Sequence, residues 1–261
     1  MIATQKHTPL RGTRPEGTRD EREAAARVRD MFTRIAPRYD FLNHLLSFSL
    51  DRLWRRRTAK RFAAVLRGPE ARVLDVCCGT GDLAFALERA RSRALGPAPR
   101  EPIVGTDFVE AMLVRASEKA RHARSSAIFA AADALRLPFA DGSFDLVTTA
   151  FGFRNLANYE DGLREFARVL RPGGELGILE FTEPGAGPLA GIFRFYFRHV
   201  LPRIGAAISG NSEAYSYLPS SVRKFPSPAE LASMMKNCGF NDVRIASWNF
   251  GSVMLHSAHR S

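Results

Sequence analysis

Three short acid-bearing stations give this sequence its chemistry. The first is Val73-Leu-Asp75-Val-Cys77-Cys78-Gly79-Thr80-Gly81-Asp82, a β-prone run carrying Asp75 that breaks into a glycine turn and opens a helical pattern. Glycine lets the backbone approach a ligand closely, and a turn leading into a helix aims free N–H groups at it. The second station, Ile103-Val-Gly-Thr-Asp107, is an apolar run ending in an acid, which suits the two hydroxyls of a ribose. The third, Ala131-Ala-Asp133-Ala134, follows another apolar run and offers a carboxylate to the exocyclic amine of an adenine. Together they read as a nucleoside cradle. Dinucleotide enzymes also combine a glycine turn with a downstream acid. This loop holds only Gly79 and Gly81 of the Gly-x-Gly-x-x-Gly set, so a pyrophosphate is poorly served. Acids before the loop, at the ribose and at the base fit S-adenosylmethionine better than NAD. A turn that merely joins a strand to a helix is the plain alternative.

The elements that must position these stations alternate. Strands are expected near 73–76, 103–107, 127–131, 144–150 and 175–181, with helical segments between them. That order argues for an α/β fold with a parallel sheet and helices on both faces. Ligands in such sheets bind at the carboxyl ends of the strands, where Asp75, Asp107 and Asp133 fall. Ahead of the first strand, Ala24, Val28, Met31 and Ile35 form a helical stripe over 20–35. A second helix is expected over 51–66, burying Leu53, Trp54, Phe62, Val65 and Leu66. These helices, within 20–66, can lie across the ligand crevice as a cap. Residues 1–19, rich in Thr, Arg, Gly and Pro, are expected to be disordered. Residues 20–261 then form a single domain, with 185–227 as a lid or substrate insertion.

Composition narrows the class. At 261 residues, 45% hydrophobic and 25% charged, the chain can bury one sizeable core. Three cysteines, two of them the adjacent Cys77 and Cys78, give neither a disulfide framework nor zinc-ligand spacing. No metal is expected, and Cys77 and Cys78 read as small residues packed under the loop. The opening residues lack the apolar core of a signal peptide, so a cytoplasmic location is expected. The net charge of +11 concentrates in Arg52, Arg55, Arg56, Arg57, Lys60 and Arg61, and again in Arg194, Arg198 and Arg203. Nucleic acid is one partner for such clusters, but no nucleic-acid motif accompanies them and none is expected. The apolar stretch 188–208 is interrupted by Arg194, Arg198, His199 and Arg203, and falls short of the roughly 20 apolar residues that a span needs.

Further segments carry a resemblance. Asp141-Gly-Ser-Phe-Asp-Leu-Val-Thr-Thr-Ala-Phe-Gly-Phe-Arg-Asn-Leu and Val169-Leu-Arg-Pro-Gly-Gly-Glu-Leu-Gly-Ile-Leu-Glu-Phe look like motifs of the quinol C-methyltransferases. That family methylates ring carbons in menaquinone and ubiquinone synthesis. Tyr39-Asp-Phe-Leu-Asn43 resembles its N-terminal motif, and His199–Gly205 and Tyr215–Pro226 resemble later ones. The match runs from about Met31 to Ala258. It implies a class I S-adenosylmethionine-dependent methyltransferase fold, Rossmann-like, with a seven-stranded sheet whose last strand is antiparallel. It also implies methyl transfer from S-adenosyl-L-methionine to a ring carbon of demethylmenaquinol. The alternatives are the benzoquinol of ubiquinone synthesis or another aromatic acceptor, and, in a different class, a non-catalytic RNA- or membrane-binding relative. A polyprenyl naphthoquinol is the implied substrate. Its tail lives in the membrane, so weak peripheral contact at the inner face is expected, and a homodimer is compatible with the reading.

Carried onto this chain, the resemblance puts Thr80 on the donor's methionyl portion, Asp107 on its ribose, and Asp133 with Ala134 at its adenine. Gly79, Gly81, Asp82, Asp75 and Ala150 complete the expected donor site. Two departures stand out. Ala150 replaces a common Ser or Asn, and Cys77 stands where many methyltransferases have the loop's first glycine. A ring carbon attacks the methyl best when a quinol oxygen is ionised, and must later lose its proton. The candidates for this work are Arg154 and Asn155, after the strand at 144–150, with Tyr39 and His199 approaching from the cap and lid.

Overall fold

The computed structural model describes residues 12, 15, 17–96, 101–183, 191, 195 and 212–261. His199, Arg194, Arg198 and Arg203 lie outside the described residues. So do most of the expected tail, residues 97–100, and most of the expected lid before Ser212. Among the described residues, α1 (Glu21–Ile35), α2 (Tyr39–Leu46), α3 (Leu50–Arg61) and α4 (Ala63–Leu66) precede the first strand. Then come β1 (Val73–Val76), α5 (Asp82–Leu95), β2 (Ile103–Asp107), α6 (Glu110–Ala123), β3 (Ile128–Ala131) and β4 (Phe144–Ala150). The remainder is α7 (Tyr159–Val169), β5 (Leu170–Phe181), α8 (Ser212–Lys224), α9 (Pro228–Asn237), β6 (Phe240–Trp248) and β7 (Val253–Arg260).

The strands form one seven-stranded sheet in the order β3-β2-β1-β4-β5-β7-β6. β1 to β5 pair in parallel, and β7 runs antiparallel to both its neighbours. The chain moves outward from β1 through β2 and β3, then returns to place β4 on the other side of β1. That reversal opens a crevice at the carboxyl ends of β1 and β4. Successive strand residues point to opposite faces. Val73, Leu146 and Leu179 thus join Trp54, Phe62, Leu66, Leu83 and Leu87 from α3–α5 and the residue that links α3 to α4. Leu74, Val147 and Ile178 join Leu163, Phe166, Leu231 and Met235 from α7 and α9. Both faces of β1 are covered, which is why it reads as a continuous buried run.

Helix ends follow side-chain chemistry. Asp20 caps α1 by accepting the Glu23 N–H, and the predicted stripe Ala24, Val28, Met31 and Ile35 is buried. Ser227 and Glu230 form a reciprocal capping box at α9. Three expectations need correction. The helix expected over 51–66 is two helices, because Phe62 leaves helical geometry and its ring covers Gly177 of β5, where a Cβ would find no room. Leu53, expected inside, is exposed. β5 starts at Leu170 rather than 175: Leu170 pairs with Phe144, the register shifts through Arg171–Gly174, and pairing resumes at Glu175. Pro172-Gly173-Gly174 looks like a loop in sequence and is a bulge inside the strand.

Candidate functional site

The glycine turn is fixed by hydrogen bonds within itself and to β2. Cys78 N–H donates to Thr106 O at 2.9 Å, Gly81 N–H to Cys78 O at 2.9 Å, and Gly79 N–H to Asp107 Oδ2 at 2.8 Å. Asp107 Oδ1 accepts the Val109 N–H at 2.9 Å, so one carboxylate ties the loop after β1 to the loop after β2. Gly79 and Gly81 have positive φ, as the turn requires. Cys77 does too, at φ 53. The position where relatives often carry glycine is therefore left-handed here, at a steric cost of about 1–2 kcal/mol for a residue with a Cβ. Gly152, in the loop after β4, packs against Cys77 so closely that a Cβ on Gly152 would come nearer than 3.0 Å to the Cys77 Cβ. Burial pushes both loop thiols well above the usual range, which favours the protonated form.

A cavity of about 750 Å³ opens over this turn. Its lining includes Asp75, Gly79, Thr80, Asp82, Asp107, Asp133, Ala134, Ala150 and Asn155 from the expected site, and Phe32, Tyr39 and Arg55 from the N-terminal helices. Gly81 does not line it; it caps α5, with the Phe129 ring filling the space where a Cβ would stand. Asp75 is fully buried. Thr148 Oγ1 donates to its Oδ1 at 2.9 Å, while Oδ2 completes no hydrogen bond. Burial lifts its carboxyl to about 7, against the opposing pull of Thr148 and Arg55. Burial also raises Asp107, partly offset by the Val109 and Gly79 N–H groups. Asp133 is exposed at the rim and accepts the Leu135 N–H at 2.9 Å.

A charge network absent from the sequence reading binds the N-terminal helices to the loop. Thr80 Oγ1 donates to Asp40 of α2. Lys119 of α6 reaches Asp40 Oδ2 at 2.9 Å, Thr80 Oγ1 at 3.1 Å and Asp82. Asp82 also lies 3.9 Å from Arg55 of α3, which pairs in turn with Asp51. Asp51 accepts from Ser47 at 2.8 Å and meets His44 Nδ1 at 2.8 Å. His44, Asp51 and Asp82 lie within 4.8 Å of one another, and Arg55 already provides the cation between the two carboxylates. Arg55, read from sequence as part of a surface cluster, is thus a buried residue. The helical period could have found it: Asp51, Trp54, Arg55, Thr58 and Ala59 fall at i, i+3, i+4, i+7 and i+8, and all are buried.

A second, smaller cavity of about 80 Å³ lies beneath α1 and α2 and shares Phe32, Tyr39, Arg55 and Phe151 with the first. Phe181, Tyr217, Leu218, Asn43 and Arg154 also line it. Phe151 takes φ 59 and stacks on Phe181, with centroids 4.4 Å apart. A bulky residue in the left-handed region beside a cavity is strain of the kind that collects at functional sites. Arg154 and Asn155, adjacent in a single 3₁₀ turn, part company. Asn155 lines the large cavity and accepts from Tyr217 OH at 3.2 Å. Arg154 lines the small one, donating from Nη1 to Phe151 O and to Glu180 Oε2 at 3.0 Å, while its Nε has no partner. Glu180 is wholly buried and also accepts the Arg154 and Phe181 N–H groups. Tyr217 is pushed up to about 12 by burial. Tyr39 rises for the same reason, with Asn43, Arg154 and Arg55 acting against it.

Comparisons with known proteins show the family and the fold. The ubiE/COQ5 methyltransferase family matches residues 19–260. A demethylmenaquinone methyltransferase of Deinococcus radiodurans is 50% identical over 232 residues, covering 89% of this chain and 92% of that one. The demethylmenaquinone methyltransferase of Thermus thermophilus is 48% identical over 230 residues, covering 88% of this chain and 100% of that one. Among solved structures, a SAM-dependent methyltransferase from Thermotoga maritima superposes with a TM-score of 0.61 at 17% identity, covering 89% of this chain and 99% of that one. At that identity the likeness speaks to the fold: a class I methyltransferase sheet.

Proposed function

Since the chain belongs to the ubiE/COQ5 methyltransferase family, we infer that it transfers a methyl group from S-adenosyl-L-methionine to a ring carbon of demethylmenaquinol, giving menaquinol. The observation that carries this reading is the meeting of two unlike cavities at Tyr39 and Phe151. One is acidic and lies over a glycine turn. The other is aromatic and lies under α1 and α2. An in-line transfer needs donor and acceptor held end to end, and most of its acceleration comes from that positioning.

The residues of the larger cavity fit the donor. Asp75 offers a buried carboxylate oxygen with no partner, suited to a cationic ligand. Each Asp107 oxygen has spent one acceptor site on a backbone N–H and keeps another for a ribose hydroxyl. We assign Asp133 and Ala134 to the adenine, and Thr80 and Asp82 to the methionyl end. When bound, S-adenosylmethionine supplies a methyl group activated by its sulfonium. In the smaller cavity, Arg154 stays protonated and its unpartnered Nε can donate to a quinol oxygen, favouring the phenolate. Tyr39 and Asn155 orient the ring at the junction. In this reading α1–α3 are a cap and α8, which brings Tyr217 and Leu218 to the cavity, belongs to a lid.

The acceptor's polyprenyl tail resides in the membrane, and we place the enzyme at the cytoplasmic face as a peripheral protein. Among the described residues no helix is long and apolar enough to cross a bilayer. Quinone profiling of cells lacking this protein tests the function. Demethylmenaquinone should accumulate and menaquinone should disappear. Normal menaquinone, or accumulation of a benzoquinol precursor instead, overturns the assignment of the acceptor.

A further inference from the structure

The α2–α3 turn presents large apolar side chains to solvent. Phe41 is 60% exposed, Leu45 43%, Phe48 74% and Leu53 39%. Phe41, Leu45 and Phe48 fall at i, i+4 and i+7, so they share one side of α2 and the turn that follows it. The other side, with Tyr39 and Asn43, lines the smaller cavity. Phe48 and Ser49 both lie in the left-handed region, at φ 53 and 58. Stability would favour Gly or Asn at 48, and solubility would favour a polar residue. Phe48 nonetheless keeps most of its ring in solvent.

Within residues 36–61 the exposed charge beside this apolar tip has one sign. Arg52, Arg56 and Lys60 are exposed along α3, beside Leu53. The two acids of the segment 36–61, Asp40 and Asp51, are turned inward to Lys119 and to Arg55 and His44. Aromatic and aliphatic side chains at the tip with a cationic collar behind them match an anionic bilayer surface, where apolar groups enter and Lys or Arg stay at the headgroups. We propose that the α2–α3 turn docks on anionic lipid and sets the acceptor cavity, one helix thickness behind it, against the membrane. The inference rests on a membrane-resident acceptor, but its test does not use the reaction.

Co-sedimentation of the full chain with phosphatidylcholine vesicles, with and without phosphatidylglycerol, decides it. The wild-type chain should bind the anionic vesicles. Arg52→Gln, Arg56→Gln and Lys60→Gln together should lower that binding by about a hundredfold, at about fivefold per charge. Phe41→Ser with Phe48→Gly should lower it by about tenfold or more per aromatic removed. Glycine suits the backbone at 48, so this variant should fold, which circular dichroism checks. Val114→Ser, at an exposed position on α6, should change nothing. The proposal falls if the wild-type chain ignores anionic vesicles, if the aromatic variant binds as before, or if Val114→Ser loses as much. It also falls if light scattering shows a wild-type dimer that the aromatic variant reduces to monomer, for the patch is then a contact between copies. Turnover of a short-tailed, water-soluble quinol without vesicle binding would retain the enzymatic function and remove the docking surface; vesicle binding without such turnover would do the reverse.

Discussion

The Cβ of Cys77 fills the space that Gly152 leaves empty, and this contact joins the loop after β1 to the loop after β4. Neither residue suits its place by itself: Cys77 has a left-handed backbone, and Gly152 must do without a side chain. Gly152→Ala should therefore lower stability by about 1–3 kcal/mol through overpacking and weaken donor binding by moving the loop. Cys77→Gly alone should be close to neutral, since relief of strain offsets the added chain entropy. The double variant should recover most of the loss. Thermal melts and donor calorimetry on the four proteins check this, and simple additivity would mean that the contact is not what excludes a side chain at 152.

Asp107 is expected to matter twice. Removing its carboxylate leaves ribose hydroxyls unpaired, at about 1.5–3 kcal/mol for a charged hydrogen bond, or one to two decades of donor affinity. It also strands the Gly79 and Val109 N–H groups. Asp107→Ala should therefore lower the melting temperature as well as the affinity, while Asp107→Asn should keep more of the fold than of the binding. Calorimetry with S-adenosylmethionine, and with NAD as a control giving no heat, separates these effects.

A lone change at Arg154 cannot reveal its chemical role, because it would leave Glu180 charged and unpaired in the interior. Breaking such a pair costs about 3–5 kcal/mol. Arg154→Leu is expected to unfold readily. Arg154→Leu with Glu180→Gln should fold, bind donor almost normally, and lose about 10²–10³ in turnover as one preorganised donor disappears. Raising the pH should restore part of that rate by ionising the quinol in solution. Near-normal turnover in the double variant would make the pair structural and pass the phenolate to Tyr39.

Asp75 sets a pH dependence whose sign follows from its raised carboxyl at about 7. The stability that belongs to the protonated form is complete below about pH 4 and is lost as pH rises through 7. Asp75→Asn should thus match wild type near pH 4 and exceed it by up to roughly 4 kcal/mol above pH 7. Donor affinity should move the other way. In wild type it should rise with pH across this range, because an ionised Asp75 attracts a cationic ligand, and in the Asn variant it should stay flat. Denaturant melts and calorimetry from pH 4 to 8 measure both.

Much of this was legible in the residues. Apolar runs separated by helical periods located the cores of β1 to β5, and acids at or near strand ends drew attention to Asp75, Asp107 and Asp133, because those signals are local. The unread part depends on side chains distant in sequence. Asp40 and Lys119, 79 positions apart, meet only after α2 and α6 pack beside the loop. Arg55 looks like one cation of a surface run until the period of α3 turns it inward. Arg154 and Asn155 looked like a pair aimed at one pocket, and a tight 3₁₀ turn sends them to two. His199 lies outside the described residues.

β7 follows β5 and β6 in sequence but lies between them in the sheet. Until Val253–Arg260 has left the ribosome, β5 shows an open edge and β6 has no partner, though everything else in the sheet can already be paired. An unpaired edge is a template for another chain, and growing chains are most prone to aggregate while such edges stand open. The final strand works as a keystone: Arg260 fastens it by donating to Leu170 O at the start of β5. Translation that stops before Val253 would release a molecule with an intact donor loop and a sheet still open for polymerisation.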